Sequence, residues 1–188
     1  MGNYLNFILS VCKYINKFCR DDLDEIQIAK PTFNIAKIIH DFPTLQRLVD
    51  LGVELSTWEA YDRDGKNMEI AMRLNFEEDV KPRINWLLDN GIDLENQGEI
   101  FTRTPEIFNK RLEELNKMVE YLQSKKFTNQ SIRDIIVKTK GLWLKHTVVE
   151  IDTNLGFFQK KFGLSGNQVR LLANEGPNLI IWSGVPFQ

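Results

Sequence analysis

Four segments of this chain share one pattern: a helix with an apolar stripe, a small or basic residue, one large apolar residue and then a polar helix start. The large apolar residue, called the anchor below, is Val53, Ile92, Phe127 or Leu164. Successive anchors are 39, 35 and 37 residues apart. A single helix pair cannot bury its own apolar faces, so a period of this length is typical of stacked pairs. The repeat predicts an all-α solenoid of paired helices.

The residue before each anchor is expected to be the left-handed C-cap of the preceding helix. Glycine occupies that position at Gly52, Gly91 and Gly163, and it adopts a positive φ without a steric penalty. Lys126 stands there in the third copy and is expected to carry the backbone strain less easily.

A second, shorter helix is expected after the last three anchors. Each begins with a good N-cap residue, at Asp93, Thr128 or Ser165, and Gln168 completes a capping box with Ser165. Thirteen residues after these anchors stand Pro105, Lys140 and Pro177.

A long helix is predicted to run from Pro105, because its apolar residues recur with helical spacing. The stripe consists of Phe108, Leu112, Leu115, Met118, Val119 and Leu122. The unit that begins at Lys140 has one extra residue before Ile151, so we expect its helix to start differently. The unit that begins at Pro177 stops about one heptad short. Its apolar residues are expected to lack a covering helix; they are Leu179, Ile180, Ile181, Trp182, Val185 and Phe187.

Charge is distributed unevenly along the 188 residues, although the net charge is only −2. Residues 1–20 carry +3, residues 21–109 carry −10, residues 110–170 carry +6 and residues 171–188 carry −1. Residues 1–20 also have amphipathic spacing without an acidic residue, which is typical of an organelle-import presequence and equally of a plain packing helix. We therefore divide the chain into a presequence-like helix (1–20), an acidic linker (21–30) and a repeat array (31–188) whose last repeat is incomplete.

Catalytic and cofactor chemistry finds little support in the sequence. The two cysteines and two histidines are too few and too scattered for a zinc site, and no phosphate-binding glycine loop is present. The segment 62–65 resembles the start of a calcium loop but lacks the later acidic ligands, so a polar turn is the simpler interpretation. We expect a protein that is not an enzyme, binds no cofactor and has no membrane span.

Basic side chains of the later units are the candidate functional residues. Equivalent positions of stacked repeats lie on one surface, so these cations are expected to form a continuous positive strip that contacts backbone phosphates rather than bases. The set consists of Lys125, Lys126, Arg133, Lys138, Lys140, Lys145, Lys160, Lys161 and Arg170. Trp143, Trp182 and Phe157 could stack on bases, but core packing is the simpler expectation for them.

The spacing of Pro105, Phe108, Leu115 and Leu122 resembles the repeat of the mTERF family, the mitochondrial transcription termination factors. Four longer stretches are also similar to members of this family, at residues 31–34, 44–56, 74–81 and 154–161. The resemblance implies helix–helix–3₁₀ repeats in part of an open half-ring, of either hand. It also implies binding to double-stranded nucleic acid in the mitochondrial matrix, negative regulation of transcription and a role in ribosome assembly.

Two functions therefore remain open from the sequence. The first is a regulator that binds mitochondrial DNA or ribosomal RNA. The second is a helical scaffold that binds proteins, such as mitochondrial ribosome assembly factors, without direct contact to nucleic acid. The acidic stretch 21–109 favours the second function and the family resemblance favours the first.

Overall fold

A computed structural model of the chain describes residues 39–62 and 64–181. The predictions for residues 1–20 and 21–30, and for Trp182, Val185 and Phe187, lie outside this part. The described part contains α1 (Pro43–Asp50), α2 (Leu55–Ala60), α3 (Lys66–Arg73), α4 (Lys81–Asp89), α5 (Leu94–Arg103), α6 (Leu112–Ser124), α7 (Asn129–Lys138), α8 (Val148–Phe162) and α9 (Gly166–Glu175). A π-helical turn (Phe76–Val80) leads into α4, and 3₁₀ turns occupy Pro105–Asn109, Leu142–Lys145 and Pro177–Leu179.

Eight of the nine helices in the described part form four pairs, and α3 stands outside them; the paired arrangement confirms the predicted all-α solenoid. The pairs are α1 with α2, α4 with α5, α6 with α7, and α8 with α9. Elements of one pair pack on the equivalent elements of another: α2 on α5, α6 on α8, α7 on α9, and the first 3₁₀ turn on the second. Each pair thus covers the apolar surface that its neighbour leaves open.

One local geometry closes all four pairs. The residue before the anchor is left-handed in each unit, with φ of 88° at Gly52, 77° at Gly91, 66° at Lys126 and 62° at Gly163. The anchor N–H then donates to the carbonyl five residues earlier, at 2.9 to 3.1 Å, in the manner of a Schellman turn. The predicted C-caps are confirmed, including the strained lysine.

The anchors enter the core as the sequence indicates. Val53, Ile92 and Phe127 are buried, and Leu164 is half-buried against the same cluster. Gln97, on α5, is also fully buried, and its amide donates to the carbonyl of Ile92 at 3.0 Å.

The predicted N-caps have three different outcomes. The Thr128 hydroxyl accepts from the Ser131 N–H at 3.1 Å, as expected. The Gln168 side chain accepts from the Ser165 N–H at 2.7 Å, which is its share of the capping box. Asp93 occupies the N-cap position, but its side chain makes no cap hydrogen bond.

The long helix predicted from Pro105 is wrong at its start. Pro105–Asn109 is a 3₁₀ turn, and α6 begins only at Leu112, after extended backbone at Lys110 and Arg111. Tertiary packing explains the break, because the Phe108 ring turns toward the preceding units. It lies 5.0 Å from the ring of Phe101 and 6.1 Å from that of Trp58, between centroids.

The unit without a proline does start differently, as expected. Lys140 and Gly141 both have left-handed φ, 52° and 76°, which proline cannot adopt. The extra residue is accommodated before α8, which begins at a capping box of Thr147 and Glu150.

The expectation of an uncovered tail is wrong for the first of its apolar residues. Leu179 and Ile180 are buried, and Ile181 is half-buried. The 3₁₀ turn of these residues packs against α9, and the buried Asn154 amide donates to the Ile180 carbonyl at 2.8 Å. The preceding unit alone therefore covers this segment.

Gly98 is expected to tolerate no side chain. A Cβ there would lie 2.5 Å from the Leu51 carbonyl oxygen, where α5 crosses the α1 turn. We predict that Gly98→Ala lowers the free energy of unfolding by about 1–3 kcal/mol, measured by urea denaturation. Gly156→Ala is the control, since its Cβ would meet nothing within 4 Å, and it should stabilise by about 0.5–1 kcal/mol. Equal effects of the two substitutions would contradict this packing.

Lys126→Gly is expected to stabilise the chain by about 0.5–1 kcal/mol, because relief of the left-handed strain exceeds the added flexibility of the unfolded chain. Lys125→Gly is the matched control. Its φ is −83°, so glycine relieves no strain there and should give no gain in the same measurement. A loss of stability in Lys126→Gly would count against the assigned backbone.

Candidate nucleic-acid interface

The helices of each unit run between two edges of the solenoid. The turn edge consists of the turns between paired helices, at residues 50–54, 89–94, 124–129 and 162–166. The 3₁₀ edge contains the 3₁₀ turns and the adjoining helix ends. A first helix such as α6, with 13 residues, separates the two edges by about 20 Å.

The nine predicted cations divide between these edges instead of forming one strip. Lys125, Lys126, Lys160 and Lys161 stand at or just before turns of the turn edge, and Arg133 and Arg170 reach it through hydrogen bonds. Lys138, Lys140 and Lys145 lie on the 3₁₀ edge. Because a helix length separates the two groups, they cannot contact one phosphate backbone as a single row.

The three cations of the 3₁₀ edge bind the protein itself. Lys140 pairs with Glu99, and the Lys145 ammonium lies 3.0 Å from a Glu106 carboxylate oxygen. Lys138 donates to the Asn174 carbonyl at 3.2 Å. Each contact joins neighbouring units, so these lysines support the stacking.

The two arginines hold the turns of the preceding unit. Arg133 donates through Nε to the Gly91 carbonyl at 2.6 Å, and its Nη2 lies 3.3 Å from Asp93. Arg170 donates to the Lys125 carbonyl at 3.2 Å. These carbonyls are at helix C-termini, where the backbone dipole favours a cation. The Asp93 side chain therefore pairs with Arg133 instead of capping the N-terminus of α5.

Lys125 has an acidic neighbour on the next unit. Its ammonium lies 2.9 Å from Asp152, and the Tyr121 hydroxyl donates to the same carboxylate oxygen at 2.5 Å. The hydrogen bond from Tyr121, followed by that from Lys125, lowers the pKa of Asp152, while burial and this hydrogen bond raise the pKa of Tyr121. Asp152 thus stays ionised and offsets part of the charge of Lys125.

Lys126, Lys160 and Lys161 are the exposed remainder. Their ammonium groups make no hydrogen bond or ion pair with residues 39–62 or 64–181; Asp152 acts on Lys160 only at longer range. Together with Lys125 and Arg170 they form what we call the basic half of the turn edge. The ammonium groups of Lys126, Lys160 and Lys161 are available to an external anion without breaking a contact between units.

Three basic residues near the 3₁₀ edge, Arg73, Arg103 and Lys110, were not among the predicted cations. Arg73 and Arg103 lie in the acidic stretch 21–109, where no cation was selected. Arg73 and Arg103, with Lys145, line an open cleft of about 870 Å³ that also contains Glu69 and Glu106. Lys110 donates to the His146 carbonyl at 2.6 Å and is bound within the fold. Mixed charge makes the cleft a poor match for a phosphate backbone.

The described part also places the other residues that the sequence singled out. Trp143 is buried and presents no face for base stacking, while Phe157 is half-buried and packs against Phe158 in a T-shaped arrangement, at 5.5 Å between centroids. Asp62 accepts from the N–H groups of Asn67 and Met68 and forms a polar turn before α3. No group of three metal-binding side chains occurs among residues 39–62 and 64–181, and no helix there could span a membrane.

Arg133 and Lys161 should differ in what their removal costs the fold. We predict that Arg133→Ala lowers the free energy of unfolding by about 1 kcal/mol, because it removes the hydrogen bond to the Gly91 carbonyl and the ion pair with Asp93. Lys161→Ala should change it by less than about 0.5 kcal/mol. Denaturant titrations of the two variants check this difference, and an equal loss would contradict the assignment of Arg133 as a contact between units.

The chain is similar in sequence to a known protein family and to several of its members. Residues 61–185, more than half of the chain, match the mTERF family. The protein named transcription termination factor 3, mitochondrial, from Drosophila melanogaster is 38% identical over 153 residues, which is 81% of this chain. The proteins of that name from Rattus norvegicus and Mus musculus are 39% and 37% identical over 72% and 74% of it.

This chain spans only part of those relatives, 42% of the Drosophila protein and 32% and 33% of the rat and mouse proteins. Residues 61–185 nevertheless contain three of the four helix pairs, with their left-handed turns, and the three 3₁₀ turns described above; the pair of α1 and α2 precedes them. The chain belongs to the mTERF family.

Proposed function

We propose that the chain is a nucleic-acid-binding regulator of mitochondrial transcription, and that it acts by binding rather than by catalysis. Its relatives are named as mitochondrial transcription termination factors, which supports a role in the mitochondrion. In the finer form of the proposal, the chain binds double-stranded mitochondrial DNA or ribosomal RNA in the matrix, restrains transcription and contributes to ribosome assembly.

The observation that carries the proposal is the basic half of the turn edge. Lys126, Lys160 and Lys161 are exposed on consecutive units, and the residues of the described part leave their charges without a close partner. Neighbouring helices lie about 8–10 Å apart, a distance over which two lysine stems can reach phosphates of one duplex strand. Lys125 and Arg170 lie beside them and add to the local field.

Such a surface would recognise the phosphate backbone and the shape of the duplex. Lysine ammonium groups read charge rather than sequence, and Phe162 beside them, although 39% exposed, is stacked on the ring of Phe158 with centroids 6.2 Å apart. Affinity should therefore depend strongly on salt and weakly on sequence. The remaining predicted cations, Arg133, Lys138, Lys140 and Lys145, would act indirectly by holding the units in line.

Charge reversal on this surface tests the proposal. We expect Lys160→Glu with Lys161→Glu to weaken binding of the full chain to duplex DNA at least tenfold, alike for unrelated sequences. The slope of log affinity against log salt should fall by about 1.8, or about 0.9 for each lost phosphate contact. Mobility-shift titrations at two salt concentrations measure both quantities, with structured RNA as a second ligand.

Lys117→Glu with Arg103→Glu is the matched control, since it makes the same change of charge at exposed positions outside the turn edge. It should bind as the unchanged chain does. Equal losses in both double variants would refute the assigned surface. If the unchanged chain fails to bind at low salt, the alternative of a protein scaffold replaces this proposal.

A further inference from the structure

The turn edge changes character from one end of the solenoid to the other. Four and three residues before the anchor, successive units carry Val49 and Asp50, Leu88 and Asp89, Gln123 and Ser124, and then Lys160 and Lys161. These positions are equivalent in the repeat and lie at the same turn, so stacking of the units sets them in a row. Along the row, the first two units carry an apolar and an acidic side chain, the third carries an amide and a hydroxyl, and the fourth carries two lysines.

Residues after the turns extend the acidic end of this row. Glu54, Asp93 and Glu95 are exposed beside Asp50 and Asp89, and we call these five residues the acidic half of the turn edge. It carries five negative charges, of which Asp93 is paired with Arg133, against five positive charges in the basic half, of which Lys125 is paired with Asp152. Val49, Leu88 and Leu94, among the acids, are 44%, 43% and 49% exposed. Leu171, near the basic half, is 55% exposed.

A polar groove of about 380 Å³ lies between the two halves. Its rim includes Asn90, Gln123, Asn129 and Gln130, and Val119 and Ile132 form part of its floor. Asn90, Gln123 and Gln130 each donate one amide hydrogen within the chain. A side-chain amide has a second hydrogen and an acceptor oxygen, so the set can also pair with the same set on another molecule.

From this arrangement we propose that the turn edge binds a second copy of the chain in antiparallel orientation. A two-fold axis at the amide groove places the acidic half of each copy on the basic half of the other, which is the self-complementarity that an isologous interface requires. Asp50 would face Lys161 of the other copy, and Asp89 would face its Lys125 and Lys126. Leu88 and Leu94 would pack on the aliphatic stems of those lysines.

The resulting dimer is weak and sensitive to salt. Four stacked turns form an edge only about 30 Å long, which is small beside the surface buried in permanent dimers. Exposed ion pairs add little affinity and are screened by salt, so they mainly fix orientation. The lysines involved also contact phosphate in the proposed function; on that basis, duplex DNA should displace the second copy.

Sedimentation velocity of the full chain at low and high salt tests this inference. At low salt we expect a reversible dimer of twice the chain's mass, whose dissociation constant rises at least tenfold when salt is raised from about 50 to 500 mM. Lys117→Glu with Arg103→Glu, which leaves the turn edge unchanged, should dimerise like the unchanged chain.

Two opposite charge reversals make the test specific. Asp50→Lys with Asp89→Lys gives the turn edge a net positive charge, and Lys126→Glu with Lys161→Glu gives it a net negative charge. Each variant alone should remain monomeric, and an equimolar mixture of the two should regain the dimer, which also shows that both are folded.

An unchanged chain that stays monomeric at low salt would overturn the inference, and so would dimers that persist in each variant alone. A monomer that still binds duplex DNA would refute self-association while leaving the proposed function intact. A chain that dimerises but does not bind duplex DNA would refute the proposed function while leaving the self-association intact.

Discussion

The left-handed turn that closes each helix pair is the constraint on which the rest of the structure depends. At Gly52, Gly91, Lys126 and Gly163 it reverses the chain within a few residues, and the next residue enters the core as the anchor. It also leaves helix C-terminal carbonyls pointing outward. Arg133 and Arg170 bind such carbonyls, so one turn serves both the fold of its own pair and the stacking of the next.

The periodic features of this fold could be predicted from the sequence because they rest on local chemistry. A positive φ requires glycine or imposes strain, and a threonine before a helix caps it, so the turns and the Thr128 cap were both predictable. The break after Pro105 was not, because helical spacing continues through Phe108 while its ring packs on the preceding units. The burial of Leu179 and Ile180 likewise depends on contacts with α9 that no local pattern encodes.

For the candidate site, the sequence predicts which residues are basic but not which of them face outward. Whether a lysine is available depends on acids in a neighbouring unit. Glu99 and Glu106 pair with Lys140 and Lys145 in this way, and Asp152, one unit later, pairs with Lys125. The direction of each helix then decides the edge on which a cation lies. The stacking that was expected to join nine cations thus separates them into residues that hold the units together and residues that face outward.

Chemical footprinting of lysines is the most direct measurement of this separation. The full chain is acetylated at limiting reagent, alone and with duplex DNA, and the modification of each lysine is quantified by mass spectrometry. The account predicts that duplex protects Lys126, Lys160 and Lys161 together and leaves Lys138, Lys140 and Lys145 unchanged. Protection of the second group, or equal protection at both edges, would contradict the assignment of the nucleic-acid interface to the turn edge.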